Sequence, residues 1–357
     1  MAAFKPAFAF VADVHLRPRT WVRYPEIRGD AFRSLQQVCS YCRVSQLPLV
    51  LGGDVFDSRR PDSESVRVFN DAVATCRQPV YFVQGNHDNV SVPWPAVTDA
   101  ATSIHSKVIT LGDIRVYGLD WQPRGSLATA LESIPEGIDV VVAHQAWEEL
   151  QGIGSVDGSV SDVHADVLLT GDYHKQLELT AVRRDTGTPI RVLSPGSTHL
   201  CRLGEDPRKY LFVVGRQGTE VQWQKVPLET REYSRIRVES AEALEQLKDA
   251  VAAYPPYENP DARPVIQLRY EASLPGVVDY VQTVPLQAHW LLDAYYAAVE
   301  VEIAVDPAMD GFDSLCGAVS QMPLDARTQD IVQRLLQTPT GQLAETLQDL
   351  YTTFMAE

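Results

Sequence analysis

The chain has 357 residues, 45% of them hydrophobic and 22% charged, an ordinary globular composition with room for more than one core. Its formal net charge of −16 at pH 7 is the wrong sign for non-specific binding to nucleic acid, where phosphate contacts need Lys or Arg. The cysteine count of 5 is odd and the residues are scattered, which excludes a disulfide framework and points to a reducing, cytoplasmic compartment.

Taken in chain order, residues 1–11 are apolar but far shorter than a membrane span, lack a small-residue cleavage pattern and run directly into Asp13. They predict a strand, not a signal peptide, and no membrane association. Short apolar runs at 7–12, 47–51, 80–83, 140–143 and 167–170 read as buried strands, with helices expected over 27–45 and 63–77. A polar cluster follows each run: Asp13-Val14-His15, Gly53-Asp54-Val55-Phe56-Asp57, Gly85-Asn86-His87-Asp88, His144 and Gly171-Asp172-Tyr173-His174. Every cluster therefore falls at a strand's C-terminal end, where open α/β sheets build their sites.

Strand-like runs continue to 210–214, and the pattern changes after Pro227. There the sequence predicts a strand at 233–238, a helix at 241–253, a strand at 264–271, a short helix at 277–283 and a strand at 295–305. Residues 306–324 read as a linker. Two helices follow, split by Thr338-Pro339-Thr340-Gly341, the second with an apolar stripe of Leu343, Leu347, Leu350, Tyr351 and Phe354. The expected division is thus 1–225, 226–305 and 306–357. The whole reads as a layered α/β fold, with a small α/β unit and a helical hairpin after it.

Each cluster alone has a bland reading, since a lone Asp-x-His after a strand is usually a turn with a capping carboxylate. As an ordered set they supply carboxylate, imidazole and amide-oxygen donors. Two divalent ions placed to clamp a phosphoryl group want those donors.

The motifs Asp-x-His, Gly-Asp-x-Phe-Asp-Ser-Arg, Gly-Asn-His-Asp and Gly-x-x-His, spread over roughly residues 7–200, resemble the calcineurin-like phosphoesterase superfamily. Within it, residues 53–61 and 116–121 are similar to the SbcD-like DNA double-strand-break-repair nucleases. The resemblance implies a metallophosphoesterase β-sandwich flanked by helices, with a capping domain at 226–305 that positions DNA, a C-terminal segment docking on an SbcC-like SMC-type ATPase, and a homodimer.

It further implies two divalent ions, manganese or else magnesium. Asp54 would bridge them, with Asp13, His15 and His174 at the first ion and Asn86, His144 and Asp172 at the second. His87 would be the acid or charge stabiliser, oriented by Asp88. Asp172 departs from the family's usual histidine; the carboxylate either hardens the second position or leaves it weakly occupied. Two rivals stay open, a cyclic-nucleotide phosphodiesterase or phosphomonoesterase on the same core, and a non-catalytic scaffold.

Residues 301–357 account for −7 of the net charge, nine acids against Arg327 and Arg334. Arg17, Arg19, Arg23, Arg28, Arg59 and Arg60 crowd the metal loops instead. Among these, Arg17, Arg19, Arg59 and Arg60, with His199 in the loop 194–199, are candidate DNA contacts, with solvated surface arginines and a plain turn as the competing readings. Cys39 and Cys42 form a CxxC inside an expected helix with no second pair, which reads as core packing.

Overall fold

The computed structural model describes residues 2–22, 24–97, 99–151, 156–252, 263–283 and 288–295, together with 331, 332, 334, 335, 338 and 346. The first half of the chain lays down β1 (Phe4–Val11), a hairpin of β2 (Arg19–Trp21) and β3 (Tyr24–Arg28), α1 (Asp30–Ser45), β4 (Leu49–Gly52), α2 (Ser63–Cys76), β5 (Val80–Val83), α3 (Trp94–Val97), β6 (Thr102–Ser103), β7 (Val108–Leu111) and β8 (Ile114–Leu119). Next come α4 (Arg124–Glu132), β9 (Val140–His144), α5 (Glu148–Gln151), β10 (Val167–Gly171), β11 (Leu177–Val182), β12 (Pro189–Ser194), β13 (Lys209–Gln217) and β14 (Glu220–Leu228).

These strands form two six-stranded sheets, ordered β14-β13-β1-β4-β5-β6 and β11-β12-β10-β9-β8-β7. The middle of each is parallel: β1, β4, β5 and β6 run together in the first sheet, as do β8, β9, β10 and β12 in the second. Period-2 alternation divides the continuous apolar runs between two cores. From β1, Phe8 and Phe10 pack with Val50, Val83 and Phe212 against Val116, Val140, Val142 and Leu169 of the opposite sheet. Ala9 and Val11 face the other way, onto Leu35 and Val38 of α1 and Phe69 and Ala72 of α2. The second sheet is covered in turn by Leu127 and Leu131 of α4 and by Trp147, lying on Val141, Ala143 and Leu168. The result is the expected helix-flanked β-sandwich.

Local chemistry sets the helix limits. Asp62 caps α2, its side chain accepting the Ser65 N–H at 2.9 Å, an arrangement that contributes about 1 kcal/mol. The helix predicted over 27–45 starts three residues late, at Asp30. Ile27 and Arg28 belong to β3, and Gly29, at φ 78°, separates strand from helix. Ile27 is withdrawn from α1's periodicity because it is buried in a separate cluster with Trp21, Leu200, Val265 and Leu291.

Contacts divide the chain into two units, Met1–Arg269 with Gly276–Asp293, and Tyr270–Pro275 with Ala294–Glu357. Beyond β14 come β15 (Tyr233–Val238), α6 (Ala241–Ala252), β16 (Val265–Glu271), α7 (Val277–Thr283) and β17 (His289–Tyr295), with the strands in one sheet in the order β15-β16-β17. The last strand was expected at 295–305; the observed one ends at Tyr295, and 296–305 lie outside the described residues. So do the linker and nearly all of the predicted hairpin, its apolar stripe included.

Within the first unit, Arg231 at the start of this segment is buried on α1. Its Nε donates to both oxygens of Asp30, at 3.0 and 3.1 Å, while its other nitrogens reach Arg28 O and Arg263 O. Among the described residues no helix is long and apolar enough to cross a membrane.

Candidate metal centre

Parallel pairing puts the ends of β1, β4 and β5 side by side in one sheet and those of β9 and β10 side by side in the other. Stacking of the sheets then brings the five motif loops together, so that Asp54 Oδ2 after β4 lies 3.3 Å from His144 Nε2 at the end of β9. The loops are strained in a common way: Asp13, His15, Asp54 and Asp172 all have positive φ, at 52°, 45°, 48° and 75°. Such conformations cost on the order of 1–3 kcal/mol each in non-glycine residues and persist only where the surroundings over-determine them. Here Asp13 N–H donates to Gly53 O at 3.1 Å, His15 N–H to Asp54 O at 2.9 Å, and Asp172 N–H to Asp13 Oδ1 at 3.0 Å. Two motif glycines are dictated by proximity. A Cβ on Gly85 would collide with the Asp54 carboxylate, and one on Gly53, at φ 94°, with the His144 ring.

The motif imidazoles of His15, His144 and His174 each have Nδ1 beside an oxygen. His15 Nδ1 faces Asp57 Oδ1 at 3.2 Å, His144 Nδ1 faces Gly52 O at 2.8 Å, and His174 Nδ1 faces Glu205 Oε1 at 3.3 Å. Each of these partners is an oxygen acceptor. The hydrogen bonds at His144 and His174 therefore favour the Nδ1–H tautomer and leave the Nε2 lone pair for a cation, whereas the approach of His15 to Asp57 is an ion-pair contact without hydrogen-bond geometry. The Nε2 atoms converge: those of His15 and His174 are 3.1 Å apart, and those of His15, His144 and His174 stand 3.9, 3.8 and 3.9 Å from Asp13 Oδ1.

The electrostatics fit a cation. Burial alone would depress the His144 pKa, yet Asp54, Asp13 and Asp172 outweigh it and hold the group well above its ordinary value. Burial pushes Asp13 upward, whereas in Asp54 the same effect is overcome by His144 and His15 and its pKa is lowered. Asp13 Oδ2 and Asn86 Oδ1 are buried acceptors with no hydrogen-bond partner, a costly condition that coordination relieves. Ligand atoms gather within 4.8 Å in the sets Asp13–Asp54–His144, His15–Asp54–His87 and His15–His174–Cys201. These donors fit two divalent ions sharing Asp54, and Asp172 sits close enough to raise the His144 pKa.

His87 is exposed at the rim, its ring edge-on to His15 with centroids 5.0 Å apart and its backbone N–H on Asp54 Oδ1 at 2.9 Å. Its Nδ1 lies 3.1 Å from Asp57 O. The expectation that Asp88 orients this ring is corrected by the geometry. Asp88 is buried and its oxygens accept the backbone N–H groups of Gly85, Val55 and Phe56 at 2.8, 2.7 and 3.2 Å. It ties the β4 and β5 loops together; burial and the nearby Asp54 push its pKa up to about 7.

The other candidates are placed as follows. Arg17 is committed to Asp57 Oδ2 at 2.9 Å and Thr20 O at 2.7 Å, so it braces the partner of His15. Arg19, Arg59 and Arg60 are exposed, and Arg23 lies outside the described residues. His199 is only 2% exposed, with its Nε2 3.7 Å from Cys201 Sγ. It is therefore corrected from a DNA contact to an interior residue.

Sequence reasoning missed Asp57, whose signal was its fixed place three residues after Asp54. It also missed Glu205, Lys209 and Cys201, which lie 35 or fewer residues beyond His174 in no recognisable spacing. Glu205 takes Lys209 Nζ at 2.9 Å and the Cys201 N–H at 3.1 Å as well as His174; although burial opposes it, His174 and Lys209 hold its pKa down at about 2.

A solved structure titled as a protein of unknown function from Aquifex aeolicus is similar at 16% identity, over 48% of this chain and 81% of that chain, with a TM-score of 0.26. No curated protein matches. The family model described as calcineurin-like phosphoesterase matches residues 6–176, the span that carries every motif residue just placed, and that match implies a metal-dependent phosphoester hydrolase domain there.

Proposed function

We propose that the protein is a metal-dependent DNA nuclease subunit that hydrolyses phosphodiesters at the Asp13–Asp54–His144 centre. One observation carries the choice of a polyanionic substrate. In a chain of net charge −16, the sheet formed after β14 presents Arg235, Arg237 and Arg269, all exposed, around one open hollow with Gln267 and Asp293. Arg235 also lies over the Tyr233 ring, 5.9 Å from its centroid. Arginines beside a half-buried aromatic ring suit a phosphate backbone and a stacked base. A phosphomonoesterase acting on a small substrate has no use for such a surface.

When bound, the two ions supply an activated water and neutralise charge on the phosphoryl group and the leaving oxygen. The chain's own residues do the rest. Gly52 and Glu205 fix the tautomers of His144 and His174, Asp57 stands beside His15, and Asp88 holds the β4 and β5 loops in register. His87, at the rim, protonates the leaving oxygen or stabilises its charge. Carboxylate and amide donors at the position of Asn86, Asp172 and Asp54 suit manganese or magnesium. The stripe at 343–354 supports docking of the C-terminal segment on an SbcC-like SMC-type ATPase, with homodimerisation as a further part of this reading.

The reading is tested with manganese-loaded protein on end-labelled DNA, beside cyclic AMP and p-nitrophenyl phosphate. Cleavage of DNA with little turnover of the small esters is expected. Efficient turnover of either small ester with intact DNA would transfer the site to the phosphodiesterase or phosphomonoesterase reading.

A further inference from the structure

We propose that Cys201 is a ligand at the ion position bordered by His15 and His174, so that the centre is chemically split: one position with a thiolate and imidazoles, the other dominated by carboxylate and amide oxygens. The proposal rests on the two-ion reading of the site and adds a donor that none of the motif loops supplies.

Cys201 comes from the segment between β12 and β13, and its Sγ lies with a ring nitrogen of His15 and one of His174 inside a 4.8 Å set. It is 7% exposed. Its surroundings differ from those of the other described cysteines. Cys39, Cys42 and Cys76 are packed in the apolar core between α1, α2 and the first sheet. The Cys201 thiol instead stands 3.7 Å from His199 Nε2 and beside the metal-facing imidazoles.

The placement is built. Glu205 Oε2 accepts the Cys201 backbone N–H at 3.1 Å while Glu205 Oε1 faces His174 Nδ1 at 3.3 Å, so one carboxylate positions both donors. Lys209 Nζ, donating to the same carboxylate at 2.9 Å, keeps it fixed. A second observation marks this pocket as one made for a cation. Asp13, wholly buried, has Oδ1 at 3.9 Å from the Nε2 of both His15 and His174, and its Oδ2 has no hydrogen-bond partner.

The chemical consequence is selectivity. Thiolate and imidazole donors favour zinc, cobalt and ferrous iron, whereas carboxylate, amide and water oxygens suit manganese and magnesium. Asp172, in place of the histidine usual in the resembling family, moves the second position toward the hard end just as Cys201 moves the first toward the soft end. The pair is thus suited to two different ions.

The test uses the full-length chain loaded with Co2+. The wild type is expected to show visible cobalt bands together with a near-ultraviolet thiolate-to-cobalt charge-transfer band. In Cys201→Ser the visible bands remain and the charge-transfer band is lost. Zinc affinity should fall on the order of 10–100-fold in that variant, with manganese affinity unchanged, a loss at least as large as that from removing an outer-shell partner. Cys201→Ala should behave as Cys201→Ser does. Visible cobalt bands without a charge-transfer band in the wild type would overturn the thiolate assignment while leaving the two-ion centre standing, as would a band that persists in Cys201→Ser. No cobalt bands at all would overturn both. The wild-type spectrum decides on its own, so the test stands even if a variant fails to fold.

Discussion

Glu205 Oε1 faces His174 Nδ1 at 3.3 Å across 31 residues of sequence, and this contact turns the other nitrogen of the ring toward Asp13 and His15. Replacing such an outer-shell carboxylate commonly costs 10–100-fold in metal affinity. Glu205→Gln, which keeps the shape and removes the charge, should lose about that much at one of the two positions and little at the other. Titration with the metal under circular dichroism control checks it; unchanged affinity at both positions would mean that Glu205 serves only to neutralise Lys209.

His87 separates chemistry from metal retention. It is exposed at the rim, while the donors of the interior are held by other residues. In His87→Gln, metal content should stay near that of the wild type while the hydrolytic rate drops by roughly 10²–10⁴. A metal-loaded variant with nearly full turnover would remove His87 from the reaction.

The Arg231–Asp30 pair fastens the segment after β14 to α1. Both residues are buried, at 8% and 7% exposure, and the Asp30 carboxylate is also approached by Thr20 and Arg33. Truncating Arg231 to Ala strands a buried carboxylate, and breaking such a pair costs about 3–5 kcal/mol. Chemical denaturation should register a loss of that order. A change under about 1 kcal/mol would show that Arg33 and Thr20 suffice to hold Asp30, as in weakly coupled surface pairs.

How much of this was legible depended on where each interaction lies in the sequence. The place of the motif residues could be read because each cluster follows directly on a short apolar run, so strand position and residue type are encoded together, as at Leu49–Gly52 before Gly53-Asp54. Asp88 was misread because sequence adjacency says nothing of side-chain direction: His87 is exposed and Asp88 buried, on opposite sides of the loop. His199 was misread for a similar reason, since a polar residue in a loop can still fold inward, here against Cys201. The end of β3, Ile27 and Arg28, falls inside the helix expected from sequence because Ile27 continues its apolar rhythm, and only tertiary burial with Trp21 and Leu200 assigns it elsewhere. Glu205 left no local signal at all, because its partners are chosen by the fold.

The C-terminal segment carries the proposed docking of an SMC-type ATPase. Deleting residues 325–357 should leave a folded, metal-dependent hydrolase that no longer co-purifies with that ATPase. Unfolding of the truncated chain, or loss of its intrinsic hydrolysis, would place the segment in the protein's own core instead.

The most direct measurement of the central claim is the metal content of the wild type and of Asp54→Ala, taken alongside phosphodiester hydrolysis. Asp54 Oδ2 lies 3.3 Å from His144 Nε2 and 3.6 Å from His15 Nε2, which makes this one carboxylate common to both halves of the donor set. The account predicts two ions per wild-type chain, reduced occupancy in Asp54→Ala, and no hydrolysis by the variant. Two ions retained in Asp54→Ala, with hydrolysis intact, would contradict it.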